Sequence, residues 1–194
     1  MSDAERLLAE AGAVLHGHFL LSSGLHSPTY VEKFELIQHP HVTVPICGQI
    51  ADHYGDAEAQ TVAGPTTGGA ILAFEVARQL GLRCIIAEQS ADGGREFRRG
   101  FRIEPGERVL VVDDVMTTGG SVRHTVAAVE RLGGVVVGAG LLVDRSGGTA
   151  EAGTAYWAAL TLDAAAYQPQ ECPQCAQGVP ITKRGTSGTA PRRW

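Results

Sequence analysis

The spacing of apolar residues changes along this chain, and each change marks an element. Residues 109–112 are Val-Leu-Val-Val, three of them β-branched, and predict a strand buried on both faces. Val122, Val126, Val129 and Leu132 then recur at helical spacing, so the strand leads through a short turn into a helix over 121–132. The same unit occurs upstream, with a short strand at 61–63, a glycine-rich turn at 64–69 and a helix over 70–80 carrying Ile71, Phe74, Val76 and Leu80. A helix over 39–54 presents Val42, Ile46 and Ile50, and Pro40 is acceptable near its start. Buried strands are predicted at 82–87 and 135–143, the second after a Gly133-Gly134 helix end. Strands alternating with helices predict an α/β domain built on a central parallel sheet flanked by helices.

The outer segments are less regular. A helix over 4–13 buries Leu7 and Leu8, with Ser2 or Asp3 as its cap. Residues 19–21 predict a short strand, 22–28 a turn-rich loop, and 29–37 a second strand or irregular edge. Residues 88–100, EQSADGGREFRRG, form a polar loop of the kind that closes over a site or is solvated. A last strand is predicted at 155–162. The segment from Gln170 onward, with Lys183, Arg184, Arg192 and Arg193, is rich in Pro, Gly and Thr and predicts a loosely ordered tail, especially over 176–194.

Length and composition fit one domain spanning 1–194. A hydrophobic share of 44% with 19% charged residues describes a folded globular chain. No apolar run approaches the ~18 residues of a membrane span and residues 1–13 lack a signal-peptide core, so a cytoplasmic protein with no membrane partner is expected. The net charge of −5 argues against nucleic acid as a partner; an anionic substrate must be met by local cations and N–H groups. Of the four cysteines, Cys84 reads as core packing. Cys172 and Cys175 form a single CxxC, half of a tetrahedral zinc site, and no second CxxC supplies the other half. A symmetric dimer could join two halves; the default reading is a turn with reduced thiols and no protein metal site.

The chemistry is concentrated at 113–121, DDVMTTGGS. Thr117, Thr118, Gly119 and Gly120 make a tight turn before a helix, whose first N–H groups lack internal partners and whose dipole is positive there: a place for phosphate. Asp113 and Asp114 stand at the carboxyl end of the strand, where ligands bind in open α/β sheets, yet carboxylates repel phosphate. They must face sugar hydroxyls or a metal held beside them. A phosphate beside a polyhydroxylated ring is a ribose 5-phosphate. The second glycine turn, at 64–69, suits a ligand carrying a second phosphate group.

The 113–121 run resembles the phosphoribosyl-diphosphate signature of the type I phosphoribosyltransferases. The segment GHFLLSSGLHSPTYV at 17–31 resembles the amino-terminal part of the orotate phosphoribosyltransferases, a family whose chain ends form a small hood over the active site; the last strand and residues 150–175 would return to that hood. The likeness runs from about Gly17 to Gly148, plus the CPxC tail seen in some bacterial members. It implies transfer of a phosphoribosyl group from phosphoribosyl diphosphate to orotate in pyrimidine biosynthesis, with Mg²⁺ bound mainly through substrate. The implied ligands of phosphoribosyl diphosphate are Asp113, Asp114, Val115, Met116, Thr117, Thr118, Gly119, Gly120 and Ser121, with Thr66, Thr67 and Gly68 at the pyrophosphate. Thr117 and Arg145 are implied at the orotate.

The likeness also implies a homodimer in which loop 88–100 reaches the partner's site with a catalytic lysine. That loop holds no lysine here; Arg95 lies nearest to the expected position and joins Asp113 and Asp114 as the catalytic set. Ser22 and Gly68 likewise stand where some members have lysine. Two rivals share the pocket: a purine phosphoribosyltransferase, and a regulator that senses phosphoribosyl diphosphate without turning it over.

Overall fold

The computed structural model describes residues 3–21, 23–162 and 165–184. Ser2, Ser22, Arg192 and Arg193 lie outside them. A six-stranded sheet carries the core. Its strands in chain order are β3 (Thr61–Pro65), β4 (Arg83–Gln89), β5 (Arg95–Phe97), β6 (Arg108–Met116), β7 (Val135–Asp144) and β8 (Tyr156–Thr161), arranged β5-β4-β3-β6-β7-β8. All pairings are parallel except that of β5 with β4.

β6 is central and shows why an unbroken apolar run was needed. Leu110 and Val112 face a cluster with Ile46, Ile50, Leu72 and Val76, from helices α3 (Pro40–His53) and α4 (Gly68–Leu80). On the opposite face Val111 packs with Val122 and Val126 of helix α5 (Gly120–Arg131), and Val109 packs with Val129. Each such buried side chain contributes about 1.5–3 kcal/mol relative to exposure. Helix α1 (Asp3–Glu10) buries Leu7 and Leu8 in the first cluster, as its apolar spacing predicts. Cys84 is half-buried against the same core.

The periphery departs from expectation in five places. The first strand, β1 (Val14–Leu20), is longer than 19–21 because it includes the polar stretch His16-Gly17-His18, with an irregularity in register between His16 and Phe19. Residues 29–37 divide into the end of β2 (His26–Val31) and a helical turn, α2 (Lys33–Ile37), which drives Leu36 into the core. Pro28 is tolerated because β2 is an edge strand.

Loop 88–100 is a hairpin whose β5 pairs Gln89 with Arg95. β8 does not return to the hood; it extends the central sheet beside β7. The hood is instead a small sheet, β2-β1-β9, whose third strand β9 (Thr182–Lys183) comes from the expected tail and runs parallel to β1. That tail is therefore ordered by pairing up to Arg184.

Candidate active site

The carboxyl ends of β3 and β6 meet the amino ends of α4 and α5, and the expected residues collect there. A cavity of ≈ 70 Å³ is lined by Asp113 and by Val115, Met116, Thr117, Thr118, Gly119, Gly120, Ser121 and Val122. Gly119 caps α5 in a left-handed conformation (φ 81°), and a side chain there would overlap the Glu151 carbonyl, so the turn requires glycine. Thr117 and Thr118 are exposed beside it.

Asp113 and Asp114 are buried. Asp113 Oδ1 accepts from the Asp114 N–H at 2.8 Å, and Asp114 Oδ1 accepts from the Val115 N–H at 2.6 Å. Burial, with the neighbouring Asp114 charge as the second cause, pushes the Asp113 carboxyl up to about 7. Asp114 Oδ2 is met by Lys33 Nζ at 2.8 Å. Lys33 was not among the residues expected from sequence. The available signal was that the chain has only two lysines, and this one lies in the hood segment.

Gly68 and Gly69 open α4 against these acids. A Cβ on Gly68 would overlap the Asp114 carboxylate, and one on Gly69 would lie 2.7 Å from Asp113 Oδ1. No larger residue fits at 68 without displacing Asp114, which accounts for glycine at that position. Thr66 and Thr67 precede this pair, joined by a cis peptide bond.

Arg95 joins the two turns. Its guanidinium donates to Thr66 Oγ1 at 3.1 Å and to Ser121 Oγ at 3.3 Å. The short β4–β5 pairing thus aims an arginine across the gap between the 64–69 and 117–121 turns.

Arg145, at the end of β7, bridges to the hood by donating to the Thr29 carbonyl at 3.0 Å, while its backbone N–H donates to Met116 O at 2.8 Å. Its Nε is buried with no hydrogen-bond partner, and burial lowers its pKa from the ordinary value. It does not pair with Asp144. That carboxylate is buried and accepts from the Ser146 N–H and hydroxyl and the Gly148 N–H, at 2.7, 2.6 and 2.9 Å. Asp144 therefore shapes the turn and does not neutralise Arg145.

The phosphoribosyl transferase domain family matches residues 39–170. An orotate phosphoribosyltransferase of Pelotomaculum thermopropionicum is 47% identical over 180 residues, covering 93% of this chain and 94% of that protein. One from Desulforamulus reducens is 45% identical with the same coverage. The crystal structure of orotate phosphoribosyltransferase from Aeropyrum pernix superimposes with a TM-score of 0.67 at 28% identity, over 81% of this chain and 92% of that one. Among the described residues no helix is long and apolar enough to cross a membrane. The acids behind a glycine turn, the paired strand–turn–helix units and these likenesses lead to one conclusion: the chain belongs to the orotate phosphoribosyltransferase family.

Proposed function

We propose that the chain transfers the phosphoribosyl group of phosphoribosyl diphosphate to N1 of orotate, releasing pyrophosphate and orotidine 5′-monophosphate. The observation that carries this reading is the buried Asp113–Asp114 pair between two glycine turns that Arg95 connects. The bond from the anomeric carbon to pyrophosphate breaks with its electron pair leaving on pyrophosphate, while orotate N1 bonds to that carbon and its proton is lost. Positive charge develops on the ribose ring, and fixed negative groups beside it favour that state. Asp113 and Asp114 serve this role by holding the ribose hydroxyls. The 117–121 turn takes the 5′-phosphate on the N–H groups of α5.

Arg95 neutralises the departing pyrophosphate beside Thr66, Thr67 and Gly68, since a guanidinium binds phosphate in bidentate fashion. Lys33, now on Asp114, is placed to turn toward the same anion. Arg145, with its unpartnered Nε, takes the orotate carboxylate or a ring carbonyl, and Thr117 lies on the same rim. Oxygen donors at the acidic pair fit Mg²⁺, which would be held mainly by substrate and would supply charge neutralisation to the leaving group.

A homodimer is part of the proposal. α4 leaves Phe74 (65%) and Ile71 (44%) exposed one helical turn apart, an apolar face suited to a second copy. One arrangement has Arg95 act within its own site, on the turns it contacts. Action on the partner's site is the alternative, and the two are separated by mixing an Arg95→Ala chain with an Asp113→Asn, Asp114→Asn chain. Recovery of activity in the mixed dimer would mean action across the interface.

The reaction is tested by following orotate absorbance with phosphoribosyl diphosphate and Mg²⁺ present. Consumption of orotate with stoichiometric pyrophosphate release supports it. Turnover of adenine instead would assign a purine acceptor, and binding of phosphoribosyl diphosphate without turnover would make the chain a sensor.

A further inference from the structure

The strongest unexplained feature lies away from the turns, where the hood meets the C-terminal segment. His18 of β1, His26 at the start of β2, Cys172 and Cys175 bring one ligand atom each to a common point, all within 4.8 Å of one another. His18 Nε2 lies 3.1 Å from His26 Nδ1, 3.4 Å from Cys172 Sγ and 3.7 Å from Cys175 Sγ; Cys175 Sγ lies 3.2 Å from His26 Nδ1. Zinc bound tetrahedrally at ordinary bond lengths to two thiolates and two imidazoles sets ligand–ligand separations of roughly 3.3–3.8 Å. The four observed separations fall close to that range, and the remaining pairs lie within 4.8 Å.

Three further observations point to a metal. His18, His26 and Cys172 are 3%, 7% and 2% exposed, so polar groups with little access to water must satisfy one another or a ligand. His18 Nδ1 lies 2.8 Å from the Val179 carbonyl, which can only accept. The Nδ1 must therefore carry the proton, and in the neutral ring Nε2 is a bare lone pair. That lone pair faces three neighbours at once, an arrangement that a cation at their centre explains and one hydrogen bond does not. The backbone is also arranged for it: His26 and Tyr167 exchange N–H···O bonds at 2.9 and 2.8 Å, and the short helix α6 (Pro173–Ala176) brings Cys175 back over Cys172.

We propose that His18, His26, Cys172 and Cys175 form a closed, four-ligand zinc site that ties the hood hairpin to the C-terminal segment. The site completes the half that the lone CxxC could not supply, and it does so within one chain. Two thiolates with two imidazoles select zinc over the oxygen-loving cation expected at the substrate. With four protein ligands no position remains for a substrate, so the role is structural. Binding displaces the two thiol protons to solvent, and the metal's binding free energy becomes folding free energy of the hood.

The test uses the full chain, expressed in zinc-supplemented medium and purified without metal-affinity resin or chelator. Elemental analysis is expected to give about one zinc per chain. Replacement with Co²⁺ is expected to give a thiolate-to-cobalt charge-transfer band and tetrahedral ligand-field absorption. Both vanish in the Cys172→Ser, Cys175→Ser chain, and His26→Gln shifts the ligand-field bands. If the double variant fails to fold, Cys175→Ser, at the exposed ligand, carries the comparison, and the wild-type cobalt spectrum stands without any variant. Removal of the metal by chelation is expected to lower Tm by roughly 5–10 °C. Zinc below about 0.1 per chain with no cobalt–thiolate band after anaerobic reduction would overturn the site. So would zinc retained by the folded double variant, or a Cys172–Cys175 disulfide as the purified state.

Discussion

The two strand–turn–helix units, β3–α4 and β6–α5, look alike in sequence but use glycine for opposite reasons. At β6–α5 the glycines open the backbone: Gly119 takes a left-handed conformation and the turn lines a cavity. At β3–α4 they remove side chains so that a helix end can press on carboxylates, with no room at Gly68 for a Cβ beside Asp114. One turn is a receptacle and the other a wedge that fixes the acids. Similar glycine content therefore does not imply similar backbone geometry, and in the proposed function the 64–69 turn meets pyrophosphate together with Arg95, which bonds to Thr66.

The largest expected effect comes from removing the charge that both units surround. The double change Asp113→Asn, Asp114→Asn is expected to lower kcat/KM by about 10³-fold or more, because two groups that favour the cationic ring are lost together. Steady-state kinetics check this, and a loss below tenfold would remove the acids from the chemistry. A smaller effect is expected from Gly68→Ala. By displacing Asp114 it should cost about 10²-fold in kcat/KM and lower Tm as well. Gly120→Ala, whose added Cβ would meet Thr118 Oγ1 of the same turn at an ordinary 3.8 Å, should leave Tm nearly unchanged while weakening phosphate binding. Equal Tm losses in the two variants would erase the distinction between wedge and receptacle.

The smallest effect is on pH dependence. Asp113 is raised from 3.8 to about 7, mainly by burial, so the folded chain holds that proton over a range where the unfolded chain has released it. The apo protein should lose stability from this group as pH rises from about 4 to about 7, with a slope no steeper than about 1.4 kcal/mol per pH unit and no further loss above. Denaturant unfolding of wild type against Asp113→Asn isolates the contribution as a difference. A difference that is flat with pH, or that grows in the other direction, would mean the carboxyl is ionised throughout.

The central elements were legible because burial on both faces of β6 leaves a continuous apolar run, and because acids followed by Thr-Thr-Gly-Gly leave few structural alternatives. The position of Arg145 at the end of a strong strand was legible. Lys33 was not, since its meaning depends on α2 packing against α3 and α4 so that its side chain reaches Asp114, a contact between distant segments that leaves no local pattern. β5 was read as loop because an edge strand of three residues, Arg-Glu-Phe, has too little periodicity to detect. β8 was assigned to the hood, although parallel pairing with β7 is a nonlocal choice. His18 falls just before the strand expected at 19–21, and His26 in the loop expected at 22–28. Only their approach to Cys172 and Cys175, some 150 residues away in sequence, brings them into the proposed zinc site.

The division of labour between the two turns is tested most directly by titrating ribose 5-phosphate and pyrophosphate, each with Mg²⁺, into wild type, Gly120→Ala and Arg95→Ala by calorimetry. Gly120→Ala is expected to weaken ribose 5-phosphate by about tenfold or more while leaving pyrophosphate nearly unchanged, and Arg95→Ala to do the reverse. If both variants weaken the same ligand, or if Arg95→Ala chiefly weakens ribose 5-phosphate, the two turns do not hold separate ends of the substrate and the assignment is wrong.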